Sequence, residues 1–230
     1  MKTLVIPSII GSLLLVMLAF MGTAVADDEV PWHSVPSSGK GMVVNGPMCM
    51  GLPLSELKQL AQDEGMPIII GTPGDDVLVG SAGDDLILGG RGDDQLIGQG
   101  GDDVLCGGQG EDELSGGKGS DFLDGGPGED ILKGHQGEDI LLGSAGPDLL
   151  FGGRGFDFLY GGPGRDVLKA GPGHDLLFGG SGDDRLFGQG GDDFLFGNRG
   201  VDHLNAGPGF DLCTTDSGED TLVNCEQMPD

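Results

Sequence analysis

From Gly71 to Val223 the chain repeats itself every nine residues, seventeen times, with no insertion or deletion. The units run from GTPGDDVLV through GGRGFDFLY to TDSGEDTLV. Position four is Gly and position six is Asp in all seventeen units. Position eight is Leu or Ile in sixteen, with Cys213 the exception. A period this short and strict specifies a solenoid, in which a unit can bury its apolar side only against its neighbours.

Each unit has two halves. The Gly-rich first half reads as a turn, because Gly permits positive φ and close backbone approach. The second half, as in Asp-Val-Leu-Val, reads as a three-residue strand with one side chain turned inward. Nine residues cannot close a coil, so two units make one coil of eighteen residues with a strand on each side. Units i and i+2 then stack about 4.8 Å apart, and seventeen units give eight and a half coils in a rod of roughly 40 Å.

The chain carries 38 acidic and 11 basic residues, a net charge of -27. That balance excludes nucleic acid and anionic membrane surfaces as direct partners and points to a cation. Charge this dense ordinarily accompanies disorder, but here it is spaced by a ruler. One apolar core residue per nine is little to set against the entropy of ordering a backbone with 49 glycines. The array therefore needs an external ligand that neutralises Asp. Stacking places the Asp of unit i over that of unit i+2, where two bare carboxylates repel. A hard cation between them reverses the sign. Calcium accepts six to eight oxygens in flexible geometry, and the glycine turn supplies carbonyls, whereas magnesium gives up water reluctantly. Seventeen units contain fifteen pairs two apart, which bounds the number of calcium ions of this type at about fifteen.

At this point the unit resembles the G-G-x-G-x-D-x-U-x nonapeptide of the RTX (repeats-in-toxin), or haemolysin-type, calcium-binding family. Gly152 to Tyr160 matches each fixed position. The resemblance implies an all-β fold, a parallel β-roll: a right-handed, two-sheet β-solenoid of seventeen repeats that orders when calcium binds. It also implies that the metal ligands are the sixth-position aspartates together with carbonyls of the glycine turn. Those aspartates are Asp76, Asp85, Asp94, Asp103, Asp112, Asp121, Asp130, Asp139 and Asp148 in the first nine units. Asp157, Asp166, Asp175, Asp184, Asp193, Asp202, Asp211 and Asp220 complete the set. The ending Cys213 to Glu226 is similar to the closing segment of small secreted bacterial members. Toxins and proteases of the family carry a catalytic or pore-forming domain, and this sequence shows no HExxH, G-x-S-x-G or P-loop. The expectation is a non-enzyme with no catalytic residues.

Outside the array, residues 1–26 read as a secretory signal peptide, with Lys2, an apolar run from Leu4 to Phe20, and cleavage after Ala26. The expected location is extracellular, with no membrane span after cleavage. Residues 27–53 form a Pro/Gly-rich leader. Residues 54–70 give a capping helix over Ser55 to Glu64 and a first strand, Ile68-Ile69-Ile70. Residues 71–223 are the roll, and 224–230 a short tail. The four cysteines allow three pairings; the local one, Cys49–Cys106 with Cys213–Cys225, would staple each end of the rod.

Positions seven and nine flank the buried eighth residue and point outward. On even-numbered units fourteen of these sixteen residues are apolar, against nine of eighteen on odd-numbered units. An apolar strip of that extent marks an interaction face, so self-association or a protein partner is expected through the even-unit side. Two functions fit: a secreted structural, adhesive or surface-associated calcium-binding roll, or an extracellular or periplasmic calcium buffer. An enzyme or toxin fragment, its chemistry confined to residues 27–70, is the third reading.

Overall fold

The protein is described by a computed structural model over residues 48, 49, 52–216 and 219–226. The expected signal peptide, nearly all of the expected leader and the last four residues lie outside the described residues.

A short antiparallel hairpin, β1 (Met48–Cys49) and β2 (Leu52–Pro53), leads into helix α1 (Leu54–Glu64) and strand β3 (Ile68–Ile70). The rest is a β-roll of two nine-stranded parallel sheets, one holding the strands of even units and one those of odd units. Strands pair with the strand eighteen residues on, so Leu132 lies beside Leu150 and Leu141 beside Leu159. The two-unit coil read from the sequence is the coil observed. Position eight is the core: Leu96, Leu105, Leu114 and their successors through Leu204 are fully buried in a single ladder. Most strands run six residues and extend through position three of the following unit, as in Leu149–Arg154, so the strand is longer than the three residues expected.

The array is also one strand longer than its sequence motif. β3 pairs with Leu86–Leu88 as the terminal strand of the even-unit sheet. Leu86 donates its N–H to the Pro67 carbonyl at 2.9 Å, as Val104 donates to that of Asp85. Residues 65–70 thus supply the strand half of a further unit, with Gly65 (φ +76°) in the place of position four and Ile69 in that of position eight, while residues 62–64 belong to α1. Pro67 stands there at position six, where the others have Asp. The roll has nine strands in each sheet, one more on the even-unit side than the seventeen motif units supply.

Both ends are pinned by disulfides with Cα atoms 5.7 Å apart, Cys49–Cys106 and Cys213–Cys225. The first fastens the hairpin to the outside of the even-unit sheet. Leu57 and Ala61, the buried side of α1, join Leu86, Leu88, Val104, Cys106 and Phe122 in a second apolar cluster on that face. The helix therefore covers the N-terminal end of the roll from its even-unit side, and its buried residues belong to this outer cluster rather than to the Leu ladder. Among even-unit outward residues, Phe122, Ile140 and Phe158 are buried, whereas Phe194 further along is 44% exposed. Among the described residues no helix is long and apolar enough to cross a membrane.

Candidate metal centres in the stacked turns

The turns stack along the two edges of the roll, and the sixth-position aspartates line their inner side. From Asp94 to Asp220, each Asp reaches back one coil. Its Oδ1 accepts the backbone N–H of the Asp eighteen residues earlier at 2.8–2.9 Å. The sequence placed these carboxylates over one another; the fold adds that one oxygen of each is already spent on the turn beneath.

The other oxygen has nothing. In fourteen consecutive units, Asp94 to Asp211, Oδ2 is buried and accepts no hydrogen bond. A buried polar atom without a partner is costly, and a buried charge more so. The consequence appears in proton affinity. Burial, the largest cause, pushes the Asp139 and Asp148 carboxyls up to about 8, with neighbouring carboxylates adding to it and the backbone hydrogen bond opposing it. Toward the ends the effect weakens: Asp103 and Asp193 rise to about 6.

Beside many of these orphaned oxygens lies a main-chain carbonyl. A Cβ placed on Gly143, position one of its unit, would sit 2.5 Å from Asp148 Oδ2 and 2.6 Å from the Gly161 carbonyl of the next coil. Gly179 has the same two neighbours, Asp184 Oδ2 at 2.5 Å and the Gly197 carbonyl at 2.7 Å. Glycine at position four is enforced by stacking: a Cβ on Gly146 (φ +134°) or Gly155 (φ +136°) would run into the carbonyl of the Gly one coil below. Fourth-position carbonyls thus point up the stack, turn to turn. Among the described residues no three His, Cys, Asp or Glu side chains converge on one point. Any cation in the turns would therefore be held by carboxylate oxygen supplemented by carbonyls. That all-oxygen set, one buried anionic oxygen per turn with carbonyls at its side, fits calcium and does not fit a thiophilic or imidazole-seeking metal.

The two N-terminal turns differ. Thr72 N–H donates to Asp76 Oδ2 at 2.6 Å, and Ser81 N–H to Asp85 Oδ2 at 2.5 Å. These two of the seventeen predicted ligands are closed upon their own turns. At the other end Glu226, which the motif did not flag, takes the place of a further Asp. Its carboxylate accepts the Asp211 N–H at 2.6 Å, while its own N–H donates to the Asp211 carbonyl at 2.7 Å. Position five forms a second, exposed ladder running the opposite way. Asp75 Oδ1 accepts from Asp93 N–H at 3.0 Å, and Asp93 Oδ1 from Glu111 N–H at 2.9 Å.

A family model described as RTX calcium-binding nonapeptide repeat (4 copies) matches residues 70–105, 106–141, 142–177 and 178–213, well over half of the chain. No curated protein matches the sequence.

Proposed function

The chain belongs to the RTX calcium-binding nonapeptide repeat family, and from that premise we propose that it is a secreted, non-enzymatic roll that folds by binding calcium between its stacked turns. The observation that carries the proposal is the run of fourteen buried, unpartnered Asp Oδ2 atoms. Calcium, when bound, would supply the positive charge and the demand for oxygen ligands that this arrangement leaves unmet. Asp94 to Asp220 would hold it, with carbonyls of positions one and four alongside; Asp76 and Asp85 complete their own turns. Without neutralisation these burials oppose folding, since the desolvation of each unpaired charge costs several kcal/mol. The chain would therefore stay unfolded where calcium is scarce and order where it is abundant, as outside a cell. A structural or adhesive role follows from a rigid rod whose even-unit strip around Phe178 and Phe194 is left for a protein partner.

A calcium buffer is the second reading. It is favoured by the hairpin and helix, which occupy the first part of the even-unit face and leave less of it for a partner. Saturable binding of a protein to the loaded roll supports the structural role; capacity without any such partner supports the buffer. The common premise is tested by far-UV circular dichroism of residues 27–230 titrated with calcium, with magnesium as control. A cooperative gain of β-structure specific to calcium is expected. A chain equally ordered in chelator would overturn calcium-driven folding.

A further inference from the structure

Among the described residues of the roll, most acids lie in the turns and most bases within strands. Of the acids in the two nine-stranded sheets, only Glu113 and Asp124 lie within a strand; those of positions five and six sit in the turns. The odd-unit sheet, by contrast, carries one base on each of five adjacent strands. These are Lys118 (strand Glu113–Lys118), Lys133 (Ile131–Gln136), Arg154 (Leu149–Arg154), Lys169 (Val167–Pro172) and Arg185 (Arg185–Gly190). Lys118, Arg154 and Arg185 are exposed, and Lys133 and Lys169 half-buried. Two lie against aromatic rings that hold them in place: Lys169 Nζ is 5.2 Å from the Phe151 ring centre, and Arg185 Cζ is 5.5 Å from that of Phe187. The sole acid on this sheet, Glu113, is bonded to Lys133. Midway along the strip the turns lack acid as well, because units nine to twelve have Pro147, Phe156, Arg165 and His174 at position five; toward its ends Glu111, Glu129 and Asp183 are exposed beside it.

The complement of this strip lies on the molecule itself. Along the odd-unit edge, position five presents Asp75, Asp93, Glu111 and Glu129, all exposed, one per coil over four coils. Both ladders step at the coil spacing, about 4.8 Å, so an acidic edge laid on a basic strip stays in register over its length. The edge and the strip succeed one another along the roll, the acids in units one to seven and the bases in units six to thirteen, so that their outer ends lie several coils apart within one chain. The contact they permit joins two different patches on two copies, which is a head-to-tail arrangement that propagates rather than closes.

We propose that, once calcium has neutralised the inner aspartates, the roll self-associates by seating the acidic edge of one copy on the basic strip of the next. This rests on the calcium reading above. Without the metal the net charge of -27 opposes any such approach; loaded turns leave the exposed ladders as the dominant charges. The even-unit apolar face takes no part.

The test is sedimentation velocity of residues 27–230 in calcium, with circular dichroism on the same samples. At low salt, species larger than monomer are expected, dissolving to monomer at about 1 M salt, where the screening length falls to about 3 Å. The pair Lys169→Glu and Arg185→Glu should give a folded monomer, and so should Glu111→Lys with Glu129→Lys. Mixing the two variants should restore association, because each then offers what the other lacks. Phe194→Ser should associate like the parent chain. A roll that folds in calcium yet stays monomeric at low salt would overturn the proposal and leave the calcium reading intact. So would association that survives high salt, that Phe194→Ser abolishes, or that the mixed variants fail to restore. Absence of any calcium-dependent β-signal would instead sink the reading beneath it.

Discussion

Gly80-Ser81-Ala82-Gly83 and Gly143-Ser144-Ala145-Gly146 are the same tetrapeptide at the same place in the repeat, and they fold differently. Ser144 has φ +76°, and its strand pairs with the coil below through Gly126 and Pro127. Ser81 is outside the left-handed region and donates its N–H to Asp85 Oδ2. Its turn has no turn beneath it. The interior turn gives up an internal hydrogen bond to join the stack, and Asp148 Oδ2 is left orphaned as a result. The cation-seeking oxygen is therefore a product of stacking and not of local sequence. The terminal turn, with the same residues, satisfies itself.

The largest break of this comparison should come at the carboxylates. In calcium, Asp148→Ala removes a charge from a buried centre and should destabilise the roll by about 3–5 kcal/mol. Asp85→Ala, at a turn already closed on itself, should cost about 1 kcal/mol. Chemical denaturation of both variants in calcium decides it; equal losses would mean that terminal and interior turns are the same kind of site.

Glycine at position four gives the next contrast. A Cβ at Gly83 meets nothing within 4 Å, whereas at Gly146 (φ +134°) it meets the Gly128 carbonyl. Gly146→Ala should cost on the order of 2–3 kcal/mol, and Gly83→Ala should fall within about 0.5 kcal/mol of the parent. Position four is Gly in both, so a sequence alone assigns the two the same cost.

Proton linkage sharpens the same division. In the metal-free roll the interior carboxyls bind protons more tightly than the ordinary value of 3.8, up to about 8 at Asp139 and Asp148. The folded state then holds protons that the unfolded chain has released, so its stability falls as pH rises. Metal-free β-structure should be greatest near pH 4 and be lost on the way to pH 8, while in calcium it should persist at pH 8. Circular dichroism across that range, with and without calcium, checks the sign. Stability of the metal-free roll rising with pH would contradict the burial of these groups.

The smallest effect concerns position two. Gln189 adopts φ +79°, a conformation glycine enters without penalty, so Gln189→Gly should stabilise by about 0.5–1 kcal/mol. Ser81→Gly, where no such conformation is needed, should lose about 0.5 kcal/mol through unfolded-state entropy. Melting temperatures of the two variants should move in opposite directions.

How far the sequence carried is clear from particular residues. The nine-residue period, with Asp at six and Leu at eight, was enough to read the coil, the two sheets and the stacking of carboxylates. Of the three pairings the four cysteines allow, the one formed is the local one favoured by where they lie. Residues 65–70 fall outside the motif because Pro67 replaces Asp and a helix replaces the Gly-rich turn, although Gly65 and Ile69 stand in the places of positions four and eight. Glu226 escaped because it caps the stack from outside the period, six residues beyond the last Asp instead of nine. The covering of the even-unit face by Leu57 and Ala61 was not legible, because a helix that short could have lain on several surfaces and only the Cys49 tether selects one. The split of each carboxylate into one bonded and one orphaned oxygen is a matter of ångströms, which a repeat pattern does not contain.

The most direct measurement is a count of calcium ions per folded chain, by equilibrium dialysis of residues 27–230 with magnesium as competitor. Many ions should bind together with folding, at most the fifteen that stacked pairs allow, with little displacement by magnesium. One or two ions per chain, or free exchange with magnesium, would contradict calcium-driven folding of the stacked turns.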